Sequence, residues 1–294
     1  MSPPNFFSDL AVPFTNLPLP NAIWILDESS RQRAIQWAER LGLPWIDRHT
    51  PDDRHPIFAL NQGRLELHLG RTGRKGGIHA EFSLRKARQI IRQEGKNSLL
   101  ARAIGLRKHP DATILDATAG LGRDGFLLAV HGCTVHLCER SPMVAALLRD
   151  GLERGMNDPD TAFIIREHIR LHEGNARSLL VSFSSPASMT LPATESNISA
   201  PSPPIPVRAD VVYLDPMFTT TANAPRAKKD IQGLRLILGP DNDARELLQP
   251  ALDHARRRVV VKRSLKSPPL GDRTPDFSIR GTTIRYDVYL SEVS

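Results

Sequence analysis

Two apolar runs that each end in a carboxylate restrict this chain more than any other feature. The first, Thr113-Ile-Leu-Asp116, is followed by Ala-Thr-Ala and then Gly120-Leu-Gly122-Arg123-Asp124-Gly125. The second, Val211-Val-Tyr-Leu214, runs into Asp215-Pro216-Met217-Phe218. A buried strand that ends in an acid and then glycines lets the backbone turn tightly and approach a ligand at the start of a helix. From Ala112 onward, strand-like and helix-like segments alternate, which predicts an α/β fold with a mostly parallel sheet covered on both faces. The predicted strands are Thr113–Leu115, Thr134–Cys138, Ile169–His172, Asp210–Leu214 and Arg258–Lys262, closed by an antiparallel pair at Phe277–Ile279 and Thr283–Leu290. Helices are expected from Asp124 to Gly132, from Ser141-Pro142 and from about Asp243.

Upstream, residues 1–75 read as a small α+β unit with a basic linker, and residues 76–294 as the main domain. Ile23–Leu26 reads as a strand, and Ser30 caps a helix through Leu41 that Gly42 and Pro44 stop. Asn61-Gln-Gly63 turns a hairpin between Phe58–Leu60 and Leu65–Leu69. Helical spacing continues over 84–106, with Leu99, Leu100, Ala103 and Ile104 as one apolar stripe. The Ser-, Pro-, Ala- and Thr-rich stretch Ser182–Arg208 has the composition of a disordered surface insertion.

Lys plus Arg exceed Asp plus Glu by 39 to 32, for a pI near 9.8, which favours an anionic partner. The excess is clustered at Arg71, Arg74 and Lys75; at Arg85, Lys86, Arg88 and Arg92; at Arg226, Lys228 and Lys229; and around Arg256–Lys266. Each run by itself fits a solvated face, whereas several on one cleft would track phosphates. No apolar run approaches bilayer length, and the N-terminus lacks a basic start followed by an apolar stretch, so a cytoplasmic protein is expected. Cys133 and Cys138 are read as buried thiols on opposite faces of a strand, with no disulfide and no metal site expected.

Gly120-Leu-Gly122-Arg-Asp-Gly125 matches the dinucleotide fingerprint, and Glu139 follows at the distance of a ribose-binding acid, so a nicotinamide enzyme is one reading. The alternative is S-adenosylmethionine. Asp116 at the turn suits that cofactor's cationic amino-acid part better than a pyrophosphate, and the intervening Ala-Thr-Ala moves the glycines away from the strand end. In this reading Arg123 and Asp124 meet the amino-acid end, Glu139 takes the ribose hydroxyls with Arg140 beside it, and Asn175 with Ala176 reads the adenine. Asp215 and the Pro216 carbonyl would accept the hydrogens of an exocyclic amine, directing its lone pair at a methyl group, while Phe218 stacks on the base. Asn175 as a plain turn residue, and Phe218 as plain core, explain those positions taken singly.

Asp116-Ala-Thr-Ala-Gly-Leu-Gly-Arg-Asp, Cys138-Glu-Arg and Val-Val-Tyr-Leu-Asp215-Pro-Met-Phe resemble the RsmJ family of small-subunit ribosomal RNA guanine-N2 methyltransferases, and Val259-Val-Val-Lys-Arg263 is similar to a later strand of that family. The resemblance runs from about Gly76 to Leu290. It implies a Rossmann-like class I fold with a seven-stranded sheet, S-adenosylmethionine as methyl donor, and 16S ribosomal RNA or the small ribosomal subunit as partner, methylated at one guanosine near the 3′ end. It implies cofactor contacts at Arg123, Asp124, Glu139, Arg140, Asn175, Ala176 and Asp215, to which the reading of the turn itself adds Asp116, Gly120 and Gly122, while Asp215, Pro216 and Phe218 are read from their own motif as serving the reaction. Arg74, Lys75, Arg226, Lys228, Lys229, Lys262 and Arg263 are the candidate RNA contacts. Three features depart from the family: the Ser182–Arg208 insertion, Thr219-Thr-Thr-Ala in place of Pro and basic residues, and Asn175-Ala176 in place of small hydroxyl residues. The readings kept beside it are an amino methyltransferase acting on other RNA, DNA adenine or a protein amide, and a non-catalytic RNA-binding module.

Overall fold

A computed structural model describes residues 20, 22–47, 56–69, 76–94, 98–178, 180, 208–216 and 244–291. Arg71, Arg74, Lys75, the insertion from Ser182 to Val207, Met217, Phe218, Arg226, Lys228 and Lys229 lie outside the described residues. The chain clusters into two compact units, one holding the residues up to Glu81 together with Ala146–Arg154, the other holding Phe82–Ala145, Gly155–Pro216 and the C-terminal strands.

In the N-terminal unit, β1 (Ile23–Ile25), β2 (Trp45–Ile46), β3 (Ile57–Asn61) and β4 (Arg64–His68) form a sheet in the order β2-β1-β3-β4. Helix α1 (Arg31–Leu41) ends on left-handed Gly42, as its sequence predicts. Its start differs from expectation. Ser30 does not cap α1 with its side chain; its hydroxyl instead accepts the Gly63 N–H at 2.7 Å and donates to Asp27 at 2.8 Å, tying the helix start to the hairpin. Gln62 and Gly63 both have positive φ, which fits a two-residue turn whose twist matches its strands. Glu66 is fully buried on β4, where burial alone would raise its pKa; bonds from His68, Arg64 and the Gly77 N–H reverse this and hold it at about 2. A buried charge is tolerated only when paired in this way. Asp150, also fully buried, is held by Arg33 at 2.9 Å, Arg154 at 2.8 Å and the Leu65 N–H at 3.2 Å.

In the larger unit, β5 (Thr113–Asp116), β6 (Thr134–Glu139), β7 (Ile169–Glu173), β8 (Ala209–Leu214), β9 (Ala255–Ser264), β10 (Phe277–Arg280) and β11 (Ile284–Leu290) form one sheet in the order β10-β11-β9-β8-β5-β6-β7. Every pair is parallel except the two made by β11. The order reverses at β5, which pairs with β6 on one side and β8 on the other. A crevice opens beyond the carboxyl ends of such neighbours because their connections leave in opposite directions. Ile114, Leu115, Val135, Leu137, Val211, Val212, Val259 and Val260 are buried, as continuous apolar strands covered on both faces must be.

The remaining helices are α2 (Leu84–Glu94), α3 (Leu99–Ile104), α4 (Arg123–Val130), α5 (Pro142–Met156), α6 (Ala162–His168) and α7 (Ala244–His254), all of this unit except the Ala146–Arg154 stretch of α5, which belongs to the N-terminal one. The continuous helical spacing over 84–106 resolves into two helices. Ser98 begins the second by accepting the Ala101 N–H at 3.0 Å, and Leu99 is only half-buried while Leu100, Ala103 and Ile104 are buried. Helix α6 and the short β2 have no counterpart among the sequence-predicted elements. Helix α4 packs on β6, with α2 and α6 against it, and α7 packs on β8 and β9. Cys133 and Cys138 are buried and free; Cys133 precedes β6 rather than lying on it.

Candidate active site

The carboxyl ends of β5, β6 and β8 carry Asp116, Glu139 and Asp215. The loop after β5 is stitched to both neighbouring strands: the Ala117 N–H donates to the Tyr213 carbonyl and the Ala119 N–H to the Cys138 carbonyl, each at 3.0 Å. Thr118 links two of the acids. Its N–H donates to Asp116 Oδ1 at 3.2 Å, and its Oγ1 accepts the Asp215 N–H at 2.6 Å. The end of β8 is thereby held against the glycine loop.

The three glycines of the fingerprint serve different needs. Gly120 and Gly122 have φ of 55° and 72°, in the left-handed region that glycine occupies without strain, and Gly122 caps α4. A Cβ at Gly120 would meet no atom within 4 Å, so its face is open to a ligand. Gly125 faces inward, and a Cβ there would collide with Leu137 of β6. Gly174, after β7, also borders open space.

Glu139 is buried, with Oε2 accepting the Gly120 N–H at 2.8 Å and Oε1 the Ser141 N–H at 2.7 Å. Its carboxylate thus lies against the backbone of the glycine loop, with Arg140 half-buried next to it. Asn175 is exposed and accepts the Arg177 N–H at 2.9 Å through Oδ1, a turn-type bond, and Ala176 is buried. Arg123 is exposed at the first turn of α4.

A second cluster joins α4 to the sheet. Asp124 Oδ2 accepts from the Tyr213 hydroxyl and from Lys262 Nζ, both at 2.7 Å, and Lys262 Nζ also reaches Asp215 Oδ2 at 2.8 Å. Burial works against the Asp124 charge, but Lys262 and the Tyr213 hydroxyl hold its pKa below the usual carboxylate range. Lys262 is likewise opposed by burial and raised well above its ordinary value by Asp215 and Asp124. Burial of the Tyr213 phenol, with Asp124 and Asp215 nearby, raises its pKa too. Asp116 behaves in the opposite sense to Asp124. Only 2% exposed, it is pushed well above the carboxylate range by burial, against its bond from Thr118, and further by Asp124, Asp215 and Glu139.

Lys262, half-buried, and Arg263, buried, both have partners within the protein. Lys262 is engaged by two carboxylates, and Arg263 is buried, with Nε donating to the Pro268 carbonyl at 2.9 Å. Tyr213, Thr118 and the ion-paired role of Lys262 were missed by motif reasoning. Their signal lies in strand register, where Leu214 sits opposite Val261, so Asp215 and Lys262 follow side by side.

Asp116, Asp124, Glu139 and Asp215 lie near one another around the turn after β5, an acidic setting that favours a ligand carrying positive charge over a pyrophosphate. S-adenosylmethionine, with its sulfonium and ammonium, has that character.

The family of SAM-dependent methyltransferases matches residues 36–291 of the chain. The chain is 39% identical to ribosomal RNA small subunit methyltransferase J of Thioalkalivibrio sulfidiphilus over 90% of its own length and 95% of the relative's. It is 43% identical to the protein of that name from Pseudoalteromonas atlantica, over 90% and 96%. Among solved structures, a SAM-dependent methyltransferase from Neisseria gonorrhoeae aligns with a TM-score of 0.66 at 29% identity, covering 93% of this chain and 97% of that one.

Proposed function

The chain belongs to the ribosomal RNA small subunit methyltransferase J family of SAM-dependent methyltransferases, and on that premise we propose that it methylates the exocyclic N2 of one guanosine in 16S ribosomal RNA. The observation that supports the reading is the Asp215-to-Thr118 bond, which brings the Asp-Pro end of β8 against the loop after β5, where this reading puts the methyl donor. Asp116, Gly120, Gly122, Arg123, Asp124, Glu139, Arg140, Asn175, Ala176 and Asp215 are the residues that would hold S-adenosylmethionine. That cofactor supplies a methyl group already activated on a sulfonium.

The chain's own residues then have mainly to position the acceptor. A guanine amine is a weak nucleophile because its lone pair is delocalised into the ring. The Asp215 carboxylate and the Pro216 carbonyl accept its two hydrogens and turn the lone pair outward, and the proton leaves after the bond forms. Phe218 stacks on the base. Helix α2 supports an RNA partner. Arg85, Arg88 and Arg92 recur on one exposed face with Lys86 beside them, no carboxylate among the described residues pairs with any of the four, and α2 packs on α4. Arg74, Lys75, Arg226, Lys228 and Lys229 extend the same electrostatic reading, in a protein that works in the cytoplasm on the small subunit or its RNA.

The test is transfer of labelled methyl from S-adenosylmethionine to small subunits lacking their own modification, followed by nucleoside analysis. N2-methylguanosine at one site is expected, and Asp215→Ala is expected to abolish turnover while keeping the fold. Label on another base, or full activity in Asp215→Ala, would overturn the assignment.

A further inference from the structure

Lys262 is a cation placed where a site built for a cationic ligand has least use for one, and its contacts explain why it is there. It projects from β9, beside the end of β8, and takes the Oδ2 atoms of Asp124 and Asp215 at 2.7 and 2.8 Å. Those two acids come from different elements, one from the first turn of α4 and the other from the strand end. The Tyr213 hydroxyl donates to the same Asp124 oxygen at 2.7 Å, so Asp124 is fixed from two sides. We infer that Lys262 is a positioning residue for methyl transfer: its ammonium fixes the Asp215 carboxylate through Oδ2 and holds α4 and β8 in one register across the site.

The inference rests on the reading of Asp215 as the group that orients the acceptor amine. Three physical points support it. Asp215 and Asp124 would repel each other without a cation between them, and Asp116 adds to the crowding. An ammonium that accepts nothing and donates three bonds can bridge two carboxylates and offset their charge at once, and a neutral donor cannot offset it. The bridge also uses the parallel β8–β9 register, so it is built by the sheet and not by a mobile loop. The charged and titratable groups around it are Asp116 from β5, Arg123 and Asp124 from α4, Glu139 from β6, Tyr213 and Asp215 from β8 and its end, and Tyr286 from β11.

The experiment compares wild type with Lys262→Met and Lys262→Arg in two measurements. Steady-state methylation of unmodified small subunits across pH should show kcat for Lys262→Met reduced roughly ten- to hundredfold, the range for losing a charge-assisted bond, with the acid limb moved to higher pH and partial recovery in Lys262→Arg. Carboxylate carbon-13 NMR titration of the protein without ligands should show Asp124 and Asp215 titrating at higher pH in Lys262→Met than in wild type. Unchanged kcat and unchanged carboxylate titration in Lys262→Met would overturn the inference. If Lys262→Met does not fold, Lys262→Gln, which also removes the charge, takes its place in both measurements with the same deciding outcomes. Wild type that methylates no RNA while the carboxylates still shift in Lys262→Met would refute the functional reading and leave the ion bridge standing.

Discussion

Replacing Asp116 with Asn should make this protein more stable at neutral pH than the native sequence, and by an amount that grows with pH. Asp116 is nearly inaccessible at the end of β5, has one hydrogen bond through Oδ1 from Thr118, and faces Asp124, Asp215 and Glu139. Its folded pKa is therefore raised, first by burial and then by those neighbours. The sign follows from linkage: a carboxyl with a raised folded pKa contributes its full stability below its unfolded value of about 3.9 and loses it as pH rises toward the folded pKa. Each pH unit over which the unfolded chain has lost the proton and the folded chain has kept it subtracts about 1.4 kcal/mol from stability. Asn has no such proton, keeps the Oδ1 acceptor and nearly the same volume. A constant offset of roughly 1–3 kcal/mol remains if its amide finds no acceptor, and the slope with pH is unaffected by it. Urea unfolding followed by far-ultraviolet circular dichroism, for both proteins at a series of pH values from about 4 upward, gives the difference directly. A difference independent of pH, or one that favours the native sequence increasingly as pH rises, would refute the account of Asp116 as a buried acid under repulsion.

Two further outcomes are expected. His136 and His172 lie 2.9 Å apart on neighbouring strands, and their pKa values are depressed to about 4, by burial first in both and then by Arg170 for His136 and by His136 for His172. Depressed folded values mean stability that is complete above the unfolded value near 6.5 and lost as pH falls toward about 4, up to roughly 3 kcal/mol for one such group, and imidazole NMR signals that titrate near 6.5 would contradict it. Changing Arg85, Arg88 and Arg92 together to Gln should weaken binding to the small subunit and lower the slope of log affinity against log salt by about 2–3, while leaving S-adenosylmethionine binding unchanged; an unaltered salt slope would remove α2 from the RNA surface.

The relation between motif and fold is clearest residue by residue. Gly120, Gly122 and Gly125 were recognisable because each obeys a local rule, two through left-handed backbone and one through close packing on β6. The break between α2 and α3 was not, since the apolar spacing continues across it and only the Ser98 cap marks the second start. Ser30 looked like a helix cap and instead bonds the hairpin turn at Gly63, a partner 33 positions away in sequence. Asn175 looked like a ligand or a turn residue, and its bond to the Arg177 N–H is of the turn kind.

By itself the sequence determined the alternation that makes a parallel sheet, the strand ends that carry Asp116, Glu139 and Asp215, and the glycine turn between strand and helix. These depend on residues within a few positions of each other, where side-chain period, backbone freedom and capping act. Only the tertiary structure decided that β5 lies between β6 and β8, which gathers the three acids at one crevice. It alone set Lys262 against Asp124 and Asp215 and buried Arg263 against Pro268, although both basic residues read as surface charge. Strand order and register join residues far apart in the chain, and it is that register, with the burial it imposes, that turns a solvated lysine into the cation between two carboxylates.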